Sequence, residues 1–199
     1  MCIRDSSEIV KGDEIAKFAL LSNGHDGKLA VHLGFTPIRV VCANTEAMAR
    51  ESAASKLIRV RHHRFVKDNV NKLRDIMNLA NQEFEATAET YRFLASRSIN
   101  QQDLEKYVKV VFGVHGQEVD DISTRTKNIM TTVENLFVTG KGNDLVGVRG
   151  TYWAAYNAVT EYLNYTKGRT SENRIDSLWF GQNGNMSRKA LDTAIALAA

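Results

Sequence analysis

Apolar and polar residues change rhythm along this chain. Residues 14–23 (EIAKFALLSN) and 28–42 (KLAVHLGFTPIRVVC) are rich in β-branched and aromatic side chains, and GHDG separates them. Asp26 followed by Gly27 suits a tight turn, so this region predicts a β-hairpin. Pro37 lacks the N–H of a central strand position and points to an edge or a break beside Thr36. Asn44 or Thr45 is placed to cap a short helix over 45–55. Residues 56–64, KLIRVRHHR, alternate Ile58, Val60 and His62 with Arg59, Arg61 and His63, the period of a strand.

The rhythm then becomes helical. Val66, Val70, Leu73, Met77, Ala80, Phe84, Thr87, Tyr91 and Leu94 recur at spacings of four and three. This heptad-like seam predicts a helix over about 66–97. Ala80 and Thr87 weaken the seam as a coiled coil, so it is read as a face packed on the chain's own core. Helices are also predicted over 101–113, 123–140, 151–165 and 187–199, and KGNDLVGVRG (141–150) is read as a loop. The helix over 151–165 carries a polar stripe of Asn157, Thr160, Glu161 and Asn164. Its aromatic surroundings predict that Asn157 and Glu161 face inward, with Arg39, Arg169 or Arg174 as ion partner. Strands first and helices after predict an α+β fold: a hairpin and basic strand packed with a long helix, then a mainly helical half.

Residues 1–6, MCIRDS, fit none of this. They have no period, no cap and no signal-peptide layout. Written as codons they resemble the end of a transposon-derived sequencing adapter. They are expected to be foreign and unstructured, with residues 7–199 a single α+β domain forming the C-terminal part of a longer protein. Cys42 is then the lone cysteine, which makes no intrachain disulfide and fits a reducing cytoplasm. No apolar run has the length of a membrane span.

Charge adds more. The net charge is only +3. Residues 56–74, however, hold Lys56, Arg59, Arg61, Arg64, Lys67, Lys72 and Arg74 against Asp68 alone, so this stretch is +6 and the remainder about −3. Such a concentration suits a phosphate backbone, with Arg39, Arg59, Arg61, Arg64 and Lys67 as the candidate nucleic-acid contacts. A solvated face balanced by the acids of the next helix is the plainer alternative.

Catalytic chemistry is thinly represented. The weak candidates are His25 and Asp26, a turn pair, and Glu161 on the aromatic helix. Cys42, beside Val40 and Val41, is read as a buried small apolar residue rather than a nucleophile. No GxSxG, HExxH or P-loop is present, and the histidines have no metal-ligand spacing, so neither metal nor cofactor is expected.

Four segments carry a resemblance. HDGKLAVHLGFTPIRVVCANTEAMA, IRVRHH, GTYWAAYNAVTEYLNY and RKALDTAIALA resemble, in order, the segments of the domain of unknown function 932 family, also labelled phage/plasmid-like protein. Tyr165 departs from the pattern, standing where a His is common. The resemblance implies a phage, prophage or plasmid setting and DNA handling in replication, recombination or transfer, with no assigned molecular activity. A loose fold-level analogy to single-strand annealing proteins points the same way. The reading is therefore of a non-enzymatic, single-stranded nucleic-acid-binding accessory in the bacterial cytoplasm, with aromatics of the hairpin or the Trp153 helix as stacking surfaces. An enzyme acting on nucleic acid or nucleotide, using His25, Asp26, Glu161 and Arg39, is the alternative. A protein–protein module forming a homo-oligomer through the heptad seam is the third.

Overall fold

The computed structural model describes residues 6–22, 31–45, 58–60, 66–168, 170, 173–174, 177–178 and 181–199. Five strands form an antiparallel sheet: β1 (Ser6–Val10), β2 (Asp13–Ser22), β3 (Val31–Arg39), β4 (Asn44–Thr45) and β5 (Ile58–Val60). β1, β2 and β3 follow one another as a meander. β4 and β5 share the far edge of β3, with β5 opposite 31–33 and β4 opposite Ile38 and Arg39. Pro37 falls in the interval between them and, among the described residues, is paired only on the β2 side, opposite Lys17, so the missing N–H breaks no described ladder on that edge.

The predicted hairpin is β2–β3; its GHDG turn lies outside the described residues. β1 was not foreseen. Ser6 pairs with Ala16, which corrects the expectation that residues 1–6 all lack structure; residues 1–5 lie outside the described ones. The reversal between β1 and β2 uses Gly12 at φ 84°, a conformation open to glycine. Asn44 is also corrected: it opens β4 rather than capping a helix, and residues 46–57 lie outside the described ones.

The helices follow the caps in the sequence. α1 (Val66–Ser96) is the long seam helix. Phe84, Thr87, Tyr91 and Leu94 are buried in the chain's own core, as the packed reading of the seam requires. The side chains of Val66, Val70, Leu73, Met77 and Ala80 are outside the described set. α2 (Gln101–Val111), α3 (Thr124–Thr139) and α4 (Tyr152–Glu161) begin at Asn100, Ser123 and Thr151, whose side-chain oxygens accept N–H groups of Asp103, Thr126 and Ala154. α4 runs on as a π-helical turn, Tyr162–Thr166. α5 (Gln182–Ala198) starts five residues before the predicted helix.

The core is built around α4. Every residue from Tyr152 to Thr160 is buried, with α1, α3 and α5 packed about it. Two backbone bonds, Tyr152 N–H to Arg97 O and Ile99 N–H to Gly150 O, tie the end of α1 to its start. No helix among the described residues is long and apolar enough to cross a membrane.

Candidate functional site

Arg39 ends β3 inside an apolar run, and a guanidinium there has to find its partners within the protein. It is completely buried. Its Nε donates to Asp13 Oδ1 and Oδ2 at 2.8 and 3.0 Å, and Nη2 donates to Oδ2 at 2.8 Å. Nη1 donates to Lys141 O and Asn143 Oδ1, and Nη2 also to Gly142 O. All five N–H groups are thereby used. Trp153 Nε1 donates to Asp13 Oδ2 at 2.8 Å, and its ring lies 5.5 Å from the Arg39 guanidinium carbon. Behind Trp153 stacks Tyr91 of α1, ring centres 4.6 Å apart. Asp13 thus clamps the sheet to α4.

A second set of bonds docks residues 42–44 on the polar stripe of α4. Asn44 Nδ2 donates to Thr160 Oγ1 at 3.3 Å, and Thr160 Oγ1 donates to Asn157 O. Asn157 Nδ2 donates to Trp153 O, and the Tyr165 hydroxyl donates to Cys42 O. Asn44 and Asn157 are fully buried, and neither Oδ1 has a hydrogen-bond partner among the described residues. Cys42 is buried, as a small apolar residue would be. The TPIRVVCANT segment and the TYWAAYNAVTEYLNY segment therefore meet face to face.

Glu161 sits at the lip of this junction, half-buried. Its Oε2 accepts the Lys141 N–H at 3.1 Å. Burial pushes its carboxyl above the ordinary value, while that N–H and the charges of Arg39 and Lys141 pull it down. Of the expected arginine partners, Arg39 is engaged by Asp13 and Arg174 Nη1 donates to Gly168 O, while Arg169 lies outside the described residues. Gly140 makes room for the carboxylate, since a Cβ there would lie 2.7 Å from Oε2 and 2.5 Å from Leu136 O.

The candidate nucleic-acid residues are distributed differently. Arg59 lies on β5 opposite His32, and Lys67 in the first turn of α1. Arg61 and Arg64 are outside the described residues, as are His25 and Asp26. Arg39 is in the interior rather than on a surface with them. Trp153 is likewise fully buried and offers no stacking surface itself, whereas Phe18 of the hairpin and Tyr165 after α4 are exposed. Asp13 was missed, although an Arg within PIRVV is itself a signal that a buried acid must stand nearby. Among the described residues no three His, Cys, Asp or Glu side chains gather as metal ligands.

No curated protein and no solved structure matches the chain. The family model described as Domain of unknown function (DUF932) matches residues 2–179, a span that takes in both converging segments and begins within the residues expected to be foreign. The chain belongs to this DUF932 family.

Proposed function

We propose that the protein binds single-stranded nucleic acid, without catalysis, as an accessory of phage or plasmid replication, recombination or transfer. The observation that carries this reading is the charge of +6 over residues 56–74 in a chain of net +3. The run enters on β5, which has no second strand neighbour among the described residues, and continues into the first turn of α1. A peripheral strand followed by a helix start suits a phosphate track, with Arg59 on the strand, Lys67 on the helix, and Arg61 and Arg64 between them in sequence. The enzymatic alternative has less support, because Arg39 is already held by Asp13 away from solvent.

The test is oligonucleotide affinity at several salt concentrations for the parent and the Arg59→Ala/Arg61→Ala double variant. Each lost phosphate contact lowers the log–log salt slope on single strands by about 0.7, so the pair should lose about 1.4. Binding should weaken for all sequences alike. Equal affinity and equal slope in both chains would remove the reading.

A further inference from the structure

Lys167 lies against Met186 of α5, three residues before Lys189, and among the described residues neither lysine forms an ion pair. Lys167 follows the π-helical turn, and its Nζ lies 3.7 Å from Met186 Sδ, a weak acceptor. Lys189, on α5, donates to Val111 O at 2.9 Å and keeps further donors for another group. Arg125, in the first turn of α3, is close enough for its charge to act on Lys167: burial, and then Arg125, hold the Lys167 ammonium below its ordinary pKa. None of these three cations forms an ion pair with a described carboxylate. A half-buried ammonium is an unfavourable arrangement that an added anion would relieve.

Beside them lies a cleft of about 330 Å³, lined among the described residues by Val111, Phe112, Gln182, Asn185, Met186 and Lys189. That volume is at the small end of ligand clefts. The Phe112 ring is steadied edge-on by Tyr162, centres 6.2 Å apart at 78°. Gln182 and Asn185 bring amide donors and acceptors to the same cleft. Cations, an aromatic ring and amides correspond to the phosphate, the face and the edge of a nucleotide.

We propose that this cleft between the end of α2 and the start of α5 binds a nucleotide through its phosphate, with Lys167 and Lys189 meeting the anion and Phe112 the base. The proposal goes beyond the reading above and uses none of the 56–74 basic residues, so either can fail without the other.

The full chain would be titrated at low salt with thymidine 5′-monophosphate, thymidine and inorganic phosphate. The monophosphate should bind more tightly than either part alone. Lys167→Met should weaken it about tenfold or more, the usual effect of losing one charged hydrogen bond. Lys167→Arg should keep the affinity, which separates lost charge from a damaged cleft. Arg59→Ala/Arg61→Ala should bind the monophosphate as the parent does. The proposal is overturned if the monophosphate does not bind, if inorganic phosphate binds as tightly as the nucleotide, or if Lys167→Met binds as the parent does.

Discussion

Arg39 shows how one residue decides the local structure. A charge placed between Ile38 and Val40 is tolerable only if every donor is met, and Asp13, Asn143 and the carbonyls of Lys141 and Gly142 meet them all. Asp13→Asn keeps an acceptor for Trp153 but leaves the guanidinium uncompensated. It should cost about 3–5 kcal/mol in urea unfolding; a loss below about 1 kcal/mol would mean that Arg39 escapes to water. Glu161 carries a pH signature. Its folded pKa is raised, chiefly by burial, so the folded state takes up a proton before the unfolded state does. At neutral pH the ionised carboxylate therefore costs stability, and acidification through the folded pKa relieves that cost. Stability curves for the parent and Glu161→Gln should show the parent gaining on the variant as pH falls toward the ordinary carboxylate range. A parent that loses ground on acidification would contradict the assignment. At this scale the sequence was half legible. Arg39 and Glu161 stand out as charges in apolar settings, but their partners, Asp13 across the strands and the Lys141 N–H in a loop, are fixed by register and loop geometry, which no spacing reveals.

Elements whose ends are written in their caps were the legible ones. α1 was expected over 66–97 and runs Val66–Ser96; Asn100, Ser123 and Thr151 each start a helix with a local hydrogen bond. β1 was missed because it is short and adjoins residues read as foreign. The start of α5 was missed because GQNGN has loop composition; there Ser177 Oγ accepts the Asn183 N–H and Leu163 O, from the π-helical turn, accepts its side-chain amide, contacts that no local spacing announces. The glycines of 141–150 offer a clean comparison between backbone and packing. Gly142 and Gly150 have φ of 76° and 73°. A Cβ at Gly150 meets nothing within 4 Å, whereas at Gly142 it would lie 2.7 Å from Val41 Cγ1 and 2.9 Å from Arg39 Nη2. Gly150→Ala should cost only the backbone term, about 1 kcal/mol. Gly142→Ala adds overpacking against a pinned guanidinium and should cost about 2–4 kcal/mol in the same denaturation assay. Equal losses would show that the loop shifts freely away from β3.

Across the whole molecule, α1 is the member shared by sheet and helices. Lys17 of β2 lies over the Phe84 ring, Arg92 donates to Ser7 Oγ and Glu8 O of β1, and Tyr91 stacks on Trp153 of α4. Trp153 in turn donates to Asp13 at the start of β2. The links form a closed circuit, sheet to α1 to α4 and back to sheet. Breaking it should therefore not loosen one half alone. Tyr91→Ala removes a fully buried ring from the middle of the circuit and should cost about 3–5 kcal/mol. Native-state hydrogen exchange then reads both sides at once, through the slowest amides of β2 and of α4. If the two halves open together, both sets should lose protection by the same free energy, and the tryptophan fluorescence and far-UV circular dichroism transitions should stay superimposed. If α4 loses protection while β2 keeps the parent's, the Asp13 clamp is too weak to couple them. The sheet bearing β5 and the helices would then be two cooperative units joined by α1.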